Sequence, residues 1–187
     1  MISKKTSIKY LITDTKLYSK DFFKILKNAL LIHKPDFACF RDKTSNDYEA
    51  KVEEFIFTCK SLHVKPILHT RDDLALKYKA FGVHFSSQDF HKIKNAKENG
   101  LFVVSSTHSL YEAKEAINLG SDFIIISPIF FTPNKGEPLG LVNLKEITDK
   151  IPNQCIALGG ILENSQIDDC LKAGAVGFAS IRYFIKN

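Results

Sequence analysis

Short runs of bulky apolar residues recur along this chain, each closed by small or polar residues and most followed by a stretch with helical spacing. The clearest is 123–126, a largely β-branched run that reads as a fully buried strand. It ends in Ser127 and Pro128 and opens into a loop holding Thr132, Asn134 and Lys135. Two similar runs follow, 155–158 ending in Gly159 and Gly160, and 178–181 ending in Ser180 and Ile181. Upstream, the same reasoning predicts strands at 10–14, 37–40, 66–69, 82–85 and 101–104.

Between the strands the apolar period changes to that of a helix. Segment 20–33 carries Phe22, Phe23, Ile25, Leu26, Ala29 and Leu30 on one face. Segment 47–62 does so through Val52, Phe55, Ile56 and Cys59, with Asn46 or Ser45 placed to cap it. Further helices are predicted at 72–78, at 89–98 before Gly100, at 109–119 with Ser109 and Glu112 spaced as a capping box, at 141–150, and at 165–173 before Gly174. Eight strands alternating with helices, without a long linker, imply one α/β domain over 1–187. The expected fold is a single parallel eight-stranded (β/α)8 TIM barrel with the last helix truncated; a doubly wound open sheet would show the same alternation. Phe184 and Ile185 are placed to cover the last strands as a stub, and a second copy of the chain in a homodimer is the other way to cover them.

The chain has 187 residues, a formal net charge of +5 and 44% hydrophobic residues, ordinary for a globular protein. Its lysines are scattered over helical segments rather than grouped with aromatics, which argues against nucleic acid as a partner and leaves a solvated basic surface. No apolar run has the length of a membrane span, and no apolar signal core follows Met1. Cys39, Cys59, Cys155 and Cys170 are far apart and lack metal spacing, so reduced, buried thiols and a cytoplasmic location are expected.

A parallel barrel carries its chemistry on the loops after its strands. Gly159 and Gly160 after one strand, and Ser180 and Ile181 after the next, suit an anion held by backbone N–H groups; tight turning of the chain is the plainer role for the glycines. Arg182 can add charge there. Arg41 and Lys43 close the second strand, where a guanidinium fork and an ammonium fit a pyrophosphate or carboxylate. Lys135, beside Thr132, is the strongest single candidate for an anion contact. An imidazole moves protons well near neutral pH, and His108 stands at a strand end with that capacity; helping to start the helix at Ser109 is its plainer role. His69 can enter the pocket from the third strand, His84 reads as a core histidine, and His33, His63 and His91 as surface residues.

Six pieces of the chain carry a family resemblance: 10–14; Phe40 to Lys43; 82–85 with Gln88 and Asp89; 106–113; Ser127 to Lys135; and Ala157 to Ile161. Between about Tyr10 and Arg182 the chain resembles thiamine phosphate synthase and its relative, the TenI-type thiazole tautomerase. The resemblance implies an eight-stranded barrel and thiamine biosynthesis. It implies a phosphorylated thiazole as substrate and, for the synthase, a pyrimidine pyrophosphate joined to it with magnesium. The tautomerase shifts a double bond in a thiazole phosphate carboxylate and needs no metal. The resemblance places Ser106, Arg41, Lys43 and Lys135 at the pyrophosphate, the Gly159–Gly160 and Ser180–Ile181 loops at the thiazole phosphate, Asp89 as one magnesium carboxylate, and His108 as the tautomerase acid/base. Two positions depart. The synthase has Asn-Asp where this chain has His69 and Thr70, so one metal carboxylate is missing, and Cys39 stands where a Gln is expected to bond the pyrimidine. Asp72 and Asp73 are expected to point elsewhere, at a helix start. These departures favour a metal-independent tautomerase, with no cofactor; the magnesium-dependent synthase is the alternative. A non-catalytic barrel that binds thiazole or thiamine phosphate, or a phosphate-binding barrel acting on another small substrate, remains a further reading.

Overall fold

Strands of four to six residues suffice here because each is covered on both sides, by its two neighbours and by helices outside. In the computed structural model, which describes residues 7–18, 21–42 and 47–185, the strands are β1 Ile8–Ile12, β2 Phe37–Phe40, β3 Lys65–His69, β4 Gly82–Phe85, β5 Phe102–Thr107, β6 Phe123–Ile126, β7 Cys155–Leu158 and β8 Gly177–Ser180. All pair in parallel in chain order, and β8 closes on β1 with Tyr10 opposite Ala179. The open-sheet alternative is thereby excluded.

The helices are α1 Thr15–Tyr18, α2 Phe22–His33, α3 Tyr48–Ser61, α4 Asp72–Lys77, α5 Ile93–Glu98, α6 Leu110–Leu119, α7 Gly140–Lys150 and α8 Asn164–Lys172. Alternate strand residues face opposite ways. One set fills the bore: Tyr10, Ile12, Phe37, Cys39, Ile67, Val104, Ile125, Ile156 and Ala179. The other packs outward against the helices, with Leu11, Phe40, Leu68, Val83, Phe85 and Phe178 meeting Leu26, Leu30, Val52 and Phe55 in one apolar layer. All four cysteines are free and buried. Among the described residues, no helix is long and apolar enough to cross a membrane.

Two local details differ from expectation. The segment from Asp89 starts as a 3-10 helix, Ser87–Lys92, before α5. At α6, Ser109 Oγ accepts from Glu112 N–H as a capping box requires, but Glu112 reaches back to the N–H of His108 instead of Ser109. Lys43 and the expected α3 caps Ser45 and Asn46 lie outside the described residues. After β8 the described chain makes the 3-10 turn Tyr183–Ile185, whose buried Phe184 lies parallel to Phe178 at 5.6 Å and edge-on to His33 at 5.4 Å. That turn is the stub expected over the barrel's closing strands.

Candidate active site

Residues at or just past the strand ends touch one another at several places around the C-terminal mouth. Between β1 and β2, the Arg41 N–H donates to Thr13 Oγ1 at 2.9 Å, and its guanidinium lies 3.5 Å from Asp14. Between β3 and β5, His69 and His84 have ring centres 5.4 Å apart, and His84 Nε2 lies 2.8 Å from Ser106 Oγ. Between β5 and β6, His108 Nδ1 meets the Ser127 carbonyl at 2.7 Å. The loop after β6 lies on the turn after β7, where a Cβ on Gly159 would come within 2.7 Å of Pro128 and one on Gly160 within 2.6 Å of the Phe131 carbonyl. Between β7 and β8, Ser180 Oγ donates to the Ile161 carbonyl at 2.9 Å.

The two histidines are set up differently. His84 is buried, and burial drives its pKa well below the usual value, helped by the charges of His69 and Arg41. Its Nδ1 faces the Tyr10 hydroxyl at 3.2 Å and the Cys39 thiol at 3.7 Å. Both keep their protons: burial raises Tyr10 well above its usual range and Cys39 to about 12. Tyr10 and Cys39 also bond each other, so His84 joins this buried pair to Ser106, with one ring nitrogen on each side. His84 is the core histidine expected, and it also fixes a rim serine.

His108 is exposed and held from two sides, its backbone N–H by Glu112 at 2.6 Å and its ring by Ser127. A carbonyl oxygen only accepts, so Nδ1 carries the proton and the neutral ring offers its lone pair at Nε2. An imidazole fixed in that tautomer is equipped to take a proton from a ligand.

Lys135 is exposed on the β6 loop, and its ammonium has no hydrogen-bond or ion-pair partner among the described residues. Thr132 is turned back, its hydroxyl on the Phe130 carbonyl at 3.1 Å, and Asn134 adopts φ 64°, so these two shape the loop. The glycines serve the turning role as well: φ is 103° at Gly159 and 68° at Gly160, and both lie too close to the β6 loop for a side chain. Leu162 and Glu163 N–H groups at the start of α8 are taken by Gln166 Oε1 at 2.8 and 3.2 Å. Ile181 is half-buried beside this turn and Arg182 is exposed.

One expectation is corrected. Asp73 does point away, paired with Arg71 at 2.7 Å, but Asp72 pairs with Lys92, which also neighbours Asp89. Lys92 Nζ stands between them, 3.4 Å from Asp72 Oδ1 and 4.0 Å from Asp89 Oδ1, while Ser86 Oγ donates to the other Asp89 oxygen. Thr70 sits in a left-handed conformation, φ 57°, its N–H on the His84 carbonyl at 2.9 Å. The i, i+3 spacing of Asp89 and Lys92 was the readable signal for this ion pair; Asp72 joins them only through the fold.

A family-wide sequence profile described as thiamine monophosphate synthase (TMP-TENI) matches residues 9–184. The chain belongs to this family. With it comes thiamine biosynthesis as the setting, and enzymes as the class. A protein of Aquifex aeolicus named "Putative thiamine-phosphate synthase 2" is 36% identical over 186 residues, covering 95% of this chain and 97% of its own length. A thiamine-phosphate synthase of Latilactobacillus sakei is 34% identical, over 92% of this chain and 82% of its own. Among solved structures, a thiamine phosphate pyrophosphorylase of Pyrococcus furiosus superposes with a TM-score of 0.79 at 27% identity, covering 93% of this chain and 85% of the other.

Magnesium, which the synthase resemblance implies, takes oxygen ligands in octahedral geometry and is commonly bound through one or two carboxylates and substrate phosphates. The carboxylates gathered here, Asp72 and Asp89, already flank an ammonium, and Thr70 supplies no charge. As built, this donor set does not fit a resident magnesium ion.

Proposed function

We propose that this chain binds a phosphorylated thiazole at the C-terminal mouth and isomerises it by proton transfer, with His108 as general acid/base. The observation that carries the reading is the hydrogen bond from His108 Nδ1 to the Ser127 carbonyl, which leaves Nε2 as the accepting atom. In this reading Nε2 takes a proton from a ring carbon, and the resulting imidazolium returns it at another position, shifting the double bond. The phosphate lies against the Gly159–Gly160 turn and the segment 180–182, and Lys135 and Arg41, with Lys43, attract the negative charge. Ser106, held in place by His84 Nε2, offers its hydroxyl to the ligand, and His69 lines the same wall. Residues 1–187 act as one cytoplasmic unit without a metal cofactor.

The second reading is the condensation of a pyrimidine pyrophosphate with a thiazole phosphate, releasing pyrophosphate. The names carried by the relatives favour it, and Arg41 and Lys135 suit the leaving group. Cys39 weakens it, being fully buried in the bore where the pyrimidine-bonding Gln is expected.

The test is an NMR assay in D2O with a thiazole phosphate carboxylate. Deuterium entering the ring, and no entry with His108→Asn, supports proton transfer. Thiamine phosphate formed from the two substrates with magnesium, and no exchange, establishes the second reading instead. Binding without either reaction would make the chain a phosphate-ligand receptor.

A further inference from the structure

We propose that Lys92 is a built-in counter-ion that stands between Asp72 and Asp89 in the place of a divalent cation, so that a metal binds this pair only when the ammonium is removed. Three observations carry it. Lys92 Nζ is 3.4 Å from Asp72 Oδ1 and 4.0 Å from Asp89 Oδ1, so one cation is shared by two carboxylates. The three side chains are 20–35% exposed, partly withdrawn from water, where unlike charges attract more strongly than at a free surface. The nearby acid Asp73 is engaged elsewhere, by Arg71 in two bonds of 2.9 and 2.7 Å. Two bare carboxylates at this rim would repel an anionic ligand; with Lys92 the three groups carry one net negative charge instead of two. The cluster is assembled from two elements, the start of α4 for Asp72 and the 3-10 segment for Asp89 and Lys92. An ammonium reaches only part of what a divalent ion does, because it forms directional hydrogen bonds and no octahedral shell. The inference rests on the proposed function only for its place beside the ligand, and its readout is metal binding, so either can fail without the other.

The experiment measures Mn2+ binding by electron paramagnetic resonance, with no substrate present. The wild-type protein is expected to leave Mn2+ free at millimolar concentration. Lys92→Met is expected to bind it at least ten-fold more tightly, and the gain is expected to vanish in Lys92→Met/Asp89→Asn. Lys92→Arg, which keeps the charge, is expected to exclude Mn2+ as the wild type does. Circular dichroism checks each fold, and Lys92→Gln replaces the Met variant if that one does not fold. Wild-type binding that Asp89→Asn abolishes would overturn the proposal, because metal and ammonium would then coexist. So would a folded Lys92→Met or Lys92→Gln variant with no gain in affinity.

Discussion

At the N-terminal end of the barrel the bore is closed by aromatic rings. Phe37 lies nearly parallel to Phe102 at 5.4 Å, and Phe81 and Phe123 pack on Phe102 at 5.0 and 5.6 Å. Lys65 holds its ammonium 5.1 and 5.0 Å from the rings of Phe37 and Phe81. Along the same strands, inward positions become polar toward the other end: Phe102, Val104, Ser106 on β5, and Ile67, His69 on β3. The change takes place over roughly 13 Å, four residues at about 3.3 Å each. One end therefore gains stability from apolar area and ring packing, while the other holds hydrogen-bonding groups in fixed directions. A cavity of about 650 Å3 opens at the aromatic end, lined by Lys60, Lys65, Lys79 and Lys97 with Phe81 and Phe102. Its lysines are partly committed, Lys60 to the Lys79 carbonyl at 2.8 Å and Lys97 to Asp122 at 2.7 Å. Cavity volume and charge point to the aromatic end; the imidazole of His108, fixed as a proton acceptor, is what sets the polar mouth apart.

Substitutions at the two ends are expected to act on different measurements. The largest effect is on turnover: His108→Ala is expected to lower the proton-exchange rate by about a hundred- to ten-thousand-fold and to cost about 1 kcal/mol of stability from the lost Ser127 bond. Kinetics and urea melts together check this, and equal losses of rate and stability would remove the contrast. At the other end, Phe37→Ala is expected to cost about 3–5 kcal/mol and to leave phosphate-ligand affinity per folded molecule unchanged by calorimetry. Gly160→Ala sits between the two behaviours. Its positive φ and the nearby Phe131 carbonyl predict a cost of about 1–3 kcal/mol, together with weaker phosphate binding; a stable, tightly binding variant would count against the turn as described.

The smallest effect is a pH slope. His84 has a folded pKa well below its unfolded value of about 6.5, so it takes up its proton on unfolding. Its neutral state contributes no loss above pH 6.5, and stability falls as pH drops below that value toward the folded pKa, by at most about 1.4 kcal/mol per pH unit. His84→Gln is expected to flatten this slope between pH 6.5 and 5. His33 shifts in the same direction, by burial and then by Lys9, but is present in both proteins and cancels in the comparison. Parallel slopes would show that His84 is not the group responsible.

The strands were legible because runs such as 123–126 are buried on both faces, and that requires apolar residues at every position. The helices were legible wherever a stop residue was a glycine, as at Gly120, whose φ is 111°. The 3-10 start at Ser87–Lys92 was not, because Asp89 and Lys92 fit the first turn of either helix type. His108 was chosen from its chemistry, but its tautomer depends on the Ser127 carbonyl, a backbone group with no sequence signature. Asp72 was missed because a carboxylate at a helix start has a sufficient local reason to be there. Only the fold brings it to Lys92.

The claim that the polar mouth is where the ligand reacts is tested most directly by a crystal structure with thiazole phosphate carboxylate bound. The account predicts the phosphate against Gly160 and the segment 180–182, with a ring carbon within hydrogen-transfer distance of His108 Nε2. A ligand seated among Lys60, Lys65 and Lys79 at the aromatic end, with the C-terminal mouth empty, would contradict it.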